Sequence, residues 1–227
     1  MNLRETPLTL QQAQDAVCVH APRDYYATDY RAMEDHYLPE LCHILEGGLS
    51  PRRIVEVGPG WGTMMVWLAG RGHELAVVDL LPLGTFVTPE LVGLCGARYF
   101  EQDVCAGPVE DLRGWADVLV MTQVLPHLKF SPEEALQHAA AMLRPGGECI
   151  VSVLDADRHP GTVAAYGTAW HAVPRYGDAP PCPEMVVSMF TGAGLAEVLG
   201  RVFGENEIVF QPADCSVLFG YATKSED

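Results

Sequence analysis

Three glycines spaced two apart mark the part of this chain whose residue types are best suited to binding a ligand. Gly58, Gly60 and Gly62 alternate with Pro59 and Trp61 directly after a short apolar run. Because glycine has no Cβ, the backbone can turn sharply here and approach a ligand closely. If a helix follows, its first free amides face the same ligand. Residues 58–62, the glycine loop, therefore predict a site for a nucleotide-like molecule between a strand and a helix.

Two acidic residues flank the glycine loop at informative positions. Glu56 stands two positions before the first glycine, and Asp79 ends the next apolar run. A carboxylate at the end of that second strand can accept hydrogen bonds from both hydroxyls of an adenosine ribose. The alternative for Asp79 is the N-cap of a helix. The two acids make the glycine pattern more specific than the glycines alone.

With these residues the chain resembles the class I S-adenosylmethionine-dependent methyltransferases. That family also has an acid and an apolar residue after its third strand, here Asp103 and Val104. It has a glycine turn before its fifth strand, here residues 143–147. Residues 117–128 are similar to the family's fourth strand and the segment after it, and residues 190–195 to a late turn. The resemblance runs from about residue 50 to residue 223.

The resemblance implies S-adenosylmethionine as the cofactor and S-adenosylhomocysteine as its product. The end of the fourth strand is expected near the methionine end of this donor. Trp61 either packs beneath the glycine loop or lies against the cofactor. The residues expected to hold the cofactor are Glu56, Gly58, Gly60, Gly62, Asp79, Leu80, Asp103, Val104, Thr122 and Tyr30.

Methyl transfer requires a nucleophile aligned with the sulfonium methyl group in a site that excludes water. An oxygen nucleophile that carries a proton also needs a base, and histidine titrates close to neutral pH. His127, a few residues after the fourth strand, and His171 are therefore predicted to be catalytic. The alternative for His127 is a polar residue that merely precedes a helix. Oxygen is the predicted acceptor atom, ahead of nitrogen, carbon and sulfur.

Residues 155–183 form a long irregular insertion that is rich in aromatic and histidine side chains. We expect it to fold as a lid with the N-terminal helices, over the ends of the strands where ligands of open α/β sheets bind. Asp155, Asp157 and His159 carry groups suited to a metal, but their spacing is common in polar loops, so no metal site is predicted. The predicted substrate-binding residues are Tyr26, His127, His159, Tyr166, Trp170 and His171.

The elements that position these residues alternate in the manner of an α/β protein. Short, almost continuous apolar runs separated by helical patterns predict a doubly wound, mostly parallel, seven-stranded sheet with N-terminal helices. We divide the chain into a helical cap, residues 1–50, and a Rossmann-like domain, residues 51–227. The first five strands are predicted at Arg53–Val57, Glu74–Asp79, Ala97–Gln102, Ala116–Thr122 and Glu148–Leu154.

Helices are predicted where apolar residues recur at helical spacing between capping signals. One, from Ser131 to Leu143, places His138 on its solvated face. The C-terminal assignments are a helix at Pro183–Gly194 and strands at Ala196–Phe203 and Ser216–Thr223, with Glu207–Gln211 also strand-like. The remaining predicted helices are Gln11–Cys18, Asp29–Leu45 and Trp61–Arg71.

Composition limits the partners of the protein. A formal charge of −16 repels phosphate backbones, so no nucleic-acid partner is expected. No signal peptide or membrane-length apolar stretch is evident, which predicts a cytoplasmic protein without a membrane partner. Seven scattered cysteines form no metal-binding or redox pair. The expected partner is a small-molecule methyl acceptor, bound by a monomer or a homodimer.

Two other functions fit parts of the sequence. A methyltransferase-like protein could bind the donor and serve only as a regulatory partner, because fold and cofactor do not fix the chemistry. An NAD(P)-dependent oxidoreductase would also use a glycine loop and an acid after the second strand. Neither lysine follows a tyrosine by four positions, and Thr63 stands where the dinucleotide turn has glycine. These two observations argue against the oxidoreductase.

Overall fold

The structure is a computed structural model that describes residues 7–21, 26–46, 52–159, 168–178, 180, 188–204, 207–212 and 216–226. Residue contacts divide the chain into two compact units, one ending at Gln102 and the other beginning at Asp103. Each unit is described by itself. The predicted division at residue 50 between a cap and a binding domain stays a prediction.

The first unit begins with short helices. Helix α1 (Leu10–His20) starts in a capping box, in which Thr9 and Gln12 each bond the backbone of the other. A π-helical turn (Tyr26–Tyr30) leads into α2 (Arg31–Glu34), and α3 (Leu38–Glu46) follows after a turn. The single helix predicted over 29–45 is therefore wrong. Pro39 explains the break, since it has no amide hydrogen and is tolerated only in the first turn of a helix.

Three parallel strands form the centre of this unit. Strand β1 (Arg53–Val57) pairs with β2 (Glu74–Asp79), which pairs with β3 (Arg98–Glu101). Helix α4 (Thr63–Ala69) follows the glycine loop and is buried along its whole length. Helix α5 (Pro89–Cys95) is capped by Thr88 and ends at a left-handed Gly96. The apolar runs predicted to be strands and the helix after the glycine loop are confirmed.

The described part of the second unit contains four more strands of the main sheet and two short strands outside it. Strand β4 (Ala116–Thr122) runs parallel to β5 (Leu143–Leu154), and helix α6 (Pro132–Met142) with its Ser131 cap connects them. Two further short strands, β6 (Thr168–Ala169) and β7 (Ser188–Met189), pair with each other. Helix α7 (Gly192–Phe203) then leads to β8 (Glu207–Phe210) and β9 (Val217–Thr223), and β9 is antiparallel to both β5 and β8.

The seven long strands belong to one sheet with the order β3-β2-β1-β4-β5-β9-β8. The predicted fold class, a mostly parallel seven-stranded sheet with helices, is confirmed. The strand predicted at Ala196–Phe203 is wrong, because those residues belong to α7. Leu195, Val198 and Leu199 are buried there at helical spacing, a pattern that outweighs the β-branched character of the segment.

The helix predicted at Pro183–Gly194 is also corrected. Residues 183–187 lie outside the described part of the chain, Ser188 and Met189 form β7, and Thr191 caps α7.

A glycine in β9 allows α7 to pack closely on the sheet. A Cβ at Gly220 would lie 2.5 Å from Cδ1 of Leu199 and 2.9 Å from Cγ2 of Val151. Real Cβ atoms essentially never come this close to neighbouring carbons, because interiors are packed as tightly as organic crystals.

None of the helices in the described ranges is long and apolar enough to cross a membrane.

Candidate functional site

The glycine loop leaves β1 beside the end of β2. The amide of Gly58 donates to the carbonyl of Val78 at 2.9 Å, which continues the pairing of the two strands into the loop. The φ angles of Gly58, Gly60 and Gly62 are 65°, 57° and 92°, a region that residues with a Cβ rarely occupy. A Cβ at Gly60 would also overlap the hydroxyl of Tyr30. Glycine is thus required at position 60 for two separate reasons.

Trp61 packs beneath the loop, which is the first of its two predicted positions. Its ring centroid lies 4.8 Å from that of Phe86, 5.7 Å from that of Tyr26 and 6.1 Å from that of Tyr30. Trp61 is buried. These aromatic contacts, two tilted and one edge-on, favour a rigid support for the glycine loop.

Glu56 is a buried acid with an unsatisfied oxygen. Its side chain in β1 is 3% exposed, and Oε2 has no hydrogen-bond partner among the described residues. Burial, together with the negative charges of Glu34 and Asp79, raises the pKa of Glu56 to about 8. A buried carboxyl group without a donor is costly, so this position favours a ligand that brings a positive charge or a hydrogen-bond donor.

A second buried acid lies in the same unit. Glu34, the last residue of α2, is also 3% exposed. Its Oε2 is hydrogen-bonded to the hydroxyl of Tyr26 at 2.8 Å and to that of Thr63 at 2.9 Å. Burial raises the pKa of Glu34 to about 7, against the opposing effect of these two hydrogen bonds. Since Thr63 begins α4, the contacts join the N-terminal helices to the end of the glycine loop.

Asp79 ends β2, as predicted, but it does not cap a helix. Its Oδ1 accepts from the amide of Leu81 at 3.0 Å, whereas the next helix, α5, is capped by Thr88. Burial raises the pKa of Asp79, while the amides of Leu81 and Leu80 oppose the shift. Leu80 is 59% exposed. The carboxylate is thus partly buried, while the apolar side chain beside it is open to solvent.

The second unit contains the other predicted cofactor residues. Asp103 accepts from the amide of Cys105 at 2.8 Å in a tight turn, and Val104 is buried. The carbonyl of Val104 is bonded to Nδ1 of His138 at 2.8 Å. The solvated position predicted for His138 is therefore wrong, because this ring is partly buried and fixes the turn that contains Val104.

The end of β4 has an unusual backbone. Thr122 is its last residue, and Gln123 follows with a φ of 56°, in the left-handed region that side chains disfavour. The amide of Gln123 donates to the carbonyl of Ser152 at 2.9 Å, and its Nε2 donates to Oγ of the same residue at 3.2 Å. Strain of this kind is often found at functional sites, where the surrounding structure maintains it.

The predicted catalytic and substrate-binding residues occupy varied positions. His127 is exposed at the end of one short 3₁₀ turn, and His171 is exposed in the middle of another. Trp170 is buried, with its ring 5.7 Å from that of His171. His159 is partly buried, and its Nε2 has no hydrogen-bond partner among the described residues. Tyr166 lies outside them.

Asp155, which directly follows β5, accepts hydrogen bonds at both carboxylate oxygens. Its Oδ2 accepts from Nε2 of Gln211 at 2.7 Å and its Oδ1 from the amide of Asp157 at 3.0 Å. Within the ranges that the structure describes, no three His, Cys, Asp or Glu residues are grouped so that they could hold a metal ion. The carboxylate of Asp155 thus serves to join loop segments.

Glu34 and Gln123 are the candidate residues that sequence reasoning missed. Glu34 precedes the buried Leu38 and Leu41 at the spacing of one helical face, so its burial could have been inferred from an acid in line with an apolar stripe. For Gln123 the residue type carries no signal, since glutamine seldom adopts a left-handed backbone.

Comparison with known families gives one match over most of the chain. Residues 30–202 match the family model described as a methyltransferase domain. The chain is 29% identical over 120 residues to a ubiquinone biosynthesis O-methyltransferase of Bordetella avium, covering 51% of this chain and 48% of that protein. It is 26% identical over 139 residues to a tRNA (carboxymethyluridine(34)-5-O)-methyltransferase of Mus musculus, covering 60% and 19%. The chain thus spans less than half the length of these curated relatives.

Solved structures show the same fold over nearly the whole chain. The 1,6-didemethyltoxoflavin-N1-methyltransferase of Burkholderia thailandensis, crystallised with 1,6-didemethyltoxoflavin and S-adenosylhomocysteine, has a TM-score of 0.60 at 21% identity, covering 97% of this chain and 93% of that one. A DhpI complex with S-adenosylhomocysteine has a TM-score of 0.62 at 15% identity, covering 96% and 98%.

Proposed function

The chain belongs to the class I S-adenosylmethionine-dependent methyltransferases, and we propose that it transfers the methyl group of S-adenosylmethionine to an oxygen of a small metabolite. The names of both curated relatives specify methylation at oxygen, which favours this acceptor atom over nitrogen, carbon or sulfur. Because fold alone does not fix a substrate, the proposal rests on the residues around the glycine loop.

The observation that carries the proposal is the unsatisfied, buried Oε2 of Glu56 beside the glycine loop. The donor's methionine end has an ammonium group, which would supply the missing hydrogen bond and the opposite charge. The glycine loop, with three left-handed residues, leaves the backbone open to close approach. The residues present therefore fit this cofactor.

The remaining cofactor contacts are proposed from the sequence motifs and the positions of these residues. Asp79 would accept hydrogen bonds from the ribose, and the exposed Leu80 would cover the adenine. Asp103 and Val104 would bracket the adenine from the turn after β3. Thr122 and Tyr30 would lie near the methionine end, Thr122 from the end of β4 and Tyr30 from its place over Gly60.

The bound donor supplies an electrophilic methyl group, and the protein must align an acceptor with it and exclude water. We propose that His127 or His171 removes the proton of the acceptor hydroxyl, since both side chains are exposed and histidine titrates near neutral pH. His159, Tyr166 and Trp170 would bind the acceptor. Tyr26 is fully buried against Glu34, so we assign it to supporting the loop.

A small acceptor is favoured over RNA by charge. The formal charge of −16 opposes the approach of a polyanion, which would require a basic surface. The tRNA substrate named for the mouse relative therefore finds no support in the composition of this chain.

Calorimetric titration tests cofactor binding directly. We expect S-adenosylhomocysteine to bind and NADH to give no heat. Binding of NADH alone would instead favour an oxidoreductase. A panel of phenols, catechols and hydroxyquinones, assayed for release of S-adenosylhomocysteine, then tests the transfer. Binding of the cofactor without turnover of any of these acceptors would favour a regulatory partner protein.

The role of each histidine is tested separately. His127→Ala and His171→Ala should be compared with the wild type by measuring turnover against pH. Loss of the limb near neutral pH in one variant would identify the base. Profiles unchanged in both variants would exclude the two histidines from this role.

A further inference from the structure

Three oxygen atoms in the first unit form a closed triangle. The hydroxyl of Tyr26 lies 2.8 Å from Oε2 of Glu34, the hydroxyl of Thr63 lies 2.9 Å from the same Oε2, and the two hydroxyls are 2.7 Å apart. All three distances are those of hydrogen bonds between oxygens. The group is buried, since Tyr26 is 0%, Thr63 1% and Glu34 3% exposed.

The number of protons needed for this triangle determines the charge of Glu34. Each hydroxyl has one proton to donate, and an ionised carboxylate has none. With Glu34 ionised, two protons serve three short contacts, so one pair of oxygens faces each other without a proton. With Glu34 protonated, each contact has one proton and the three hydrogen bonds close in a ring. The geometry thus favours the neutral acid.

Burial of Glu34 acts in the same direction and outweighs the hydrogen bonds of Tyr26, Thr63 and Gln14, which favour the ionised form. The described groups that most affect it are the hydroxyls of Tyr26 and Thr63, the amide of Gln14 and the carboxylate of Asp35. Its charge raises the pKa of both Glu56 and Tyr37. None of these neighbours is a cation, and the three hydrogen bonds offset the burial of a negative charge only in part.

We propose that Glu34 is a second acid of the cofactor site, which holds a proton while the site is empty and releases it when the cationic end of the cofactor binds beside Glu56. The inference rests on the proposed function, since it requires that cofactor. A positive charge brought close to two buried acids favours their ionised forms. Once Glu34 is ionised, both hydroxyls can donate to it, and the residue at the start of α4 is held by a charged acceptor.

Binding should therefore become tighter as pH rises through neutrality. Because burial raises the pKa of Glu34 to about 7, its ionisation in the complex should lower the dissociation constant about fourfold between pH 6.5 and 8. Glu56 adds a further pH dependence of its own. The contribution of Glu34 is the difference in the pH dependence of binding between the wild type and a variant that cannot titrate at position 34.

The experiment is a calorimetric titration of the full chain with S-adenosylhomocysteine, whose ammonium stays protonated over this range. Each titration is made at pH 7 in two buffers of different ionisation enthalpy, which gives the number of protons released. Glu34→Gln is the test variant, because its amide can close the ring without titrating. Glu74→Gln is the matched control, since Glu74 is exposed at the opposite end of β2 from Asp79.

Wild type and Glu74→Gln should release about half a proton more than Glu34→Gln, as linkage requires for a group that titrates near pH 7. Should Glu34→Gln fail to fold, Glu34→Ala leaves the hydrogen bond between Tyr26 and Thr63 and also cannot titrate. Equal proton release from wild type and either folded variant would overturn the inference. Absence of any binding to the wild type would contradict the proposed function instead.

Discussion

The hydroxyl of Tyr30 occupies the space over Gly60 that a side chain at position 60 would need. Tyr30 ends the π-helical turn, so the N-terminal helices constrain the glycine loop at a second point besides the hydrogen bonds of Glu34. The conformation of the loop thus depends on residues that precede β1, and not only on its own glycines. Changes on either side of this contact should alter cofactor binding.

Gly60→Ala tests this contact. The added Cβ meets the Tyr30 hydroxyl and forces a side chain into a left-handed backbone, which should cost about 1–3 kcal/mol of stability and weaken cofactor binding. Chemical denaturation and calorimetry measure the two effects. Gly114→Ala is the control, because Gly114 also has a positive φ but has open space around it. Tyr30→Phe combined with Gly60→Ala should recover part of the loss, and no recovery would argue against the overlap.

Glu56→Gln should weaken the binding of S-adenosylhomocysteine by roughly 10- to 100-fold, or about 1.4–2.8 kcal/mol. The reason is that the amide cannot supply the negative charge proposed to face the ammonium. Calorimetry at pH 8 gives the dissociation constants. Glu90→Gln, an exposed acid in α5, controls for the loss of one surface charge. An unchanged affinity would remove Glu56 from the proposed site.

Stability of the cofactor-free protein should decrease as the solution becomes alkaline. The pKa values of Glu34 and Glu56 are raised by burial from 4.5 to about 7 and about 8. Their contributions are thus fully present below pH 4.5 and lost as pH rises through about 7 and 8. In urea denaturation, the free energy of unfolding of Glu34→Gln should vary with pH by on the order of 1–3 kcal/mol less than that of the wild type. A variant with the slope of the wild type would show that Glu34 does not titrate in this range.

The opposite dependence is expected from His73 at acidic pH. This buried residue accepts from the amide of Arg52 through Nδ1 at 3.2 Å. Burial lowers its pKa, and Arg52 and Arg71 lower it further. The neutral ring therefore stabilises the fold above the ordinary value of 6.5, and this stability is lost as pH falls below it.

His73→Asn keeps an acceptor for the Arg52 amide and should reduce the slope of the unfolding free energy against pH below 6.5. His43→Asn, at an exposed position of α3, should leave that slope unchanged. Denaturation at several pH values compares the three proteins. Equal slopes in wild type and His73→Asn would mean that other groups cause the loss of stability in acid.

At Gln123 a glycine variant should be more stable than an alanine variant, which is the reverse of the order expected at a helical glutamine. Gln123→Gly removes the left-handed strain and Gln123→Ala does not, so the glycine variant should be the more stable by about 1 kcal/mol. At Gln137, exposed in α6, alanine should be more stable than glycine by a similar amount. Chemical denaturation of the four variants measures both differences. The same order at both positions would show that the backbone at Gln123 is not strained.

The strands and the glycine loop could be predicted because their signals are local. Nearly continuous apolar runs identify strands that helices cover on both faces, and left-handed turns require glycine whatever surrounds them. The prediction at Ala196–Phe203 is wrong because apolar residues in a short segment fit a strand as well as a buried helical face. The helical spacing of Leu195, Val198 and Leu199 and the capping Thr191 upstream favour the helix.

The supporting residues of the site could not be predicted in the same way. Glu34 is buried because Tyr26 and Thr63, which lie on different helical segments, converge on it. His138 is fixed by a carbonyl that lies 34 positions away along the chain. The apolar stripe in line with Glu34 indicates that it is buried, but the partners of Glu34 and His138 arise from tertiary structure and no pattern within one segment encodes them.

The close packing of α7 against Gly220 has a consequence for how this sequence can diverge. Polar or apolar character is irrelevant at that position, since any atom larger than hydrogen meets Leu199 and Val151. Homologous proteins with this helix placement should therefore keep glycine there. Those with a larger residue should have a more distant helix or smaller side chains at positions 199 and 151. The residue at position 220 would then indicate, in each homologue, how closely this helix packs on the sheet.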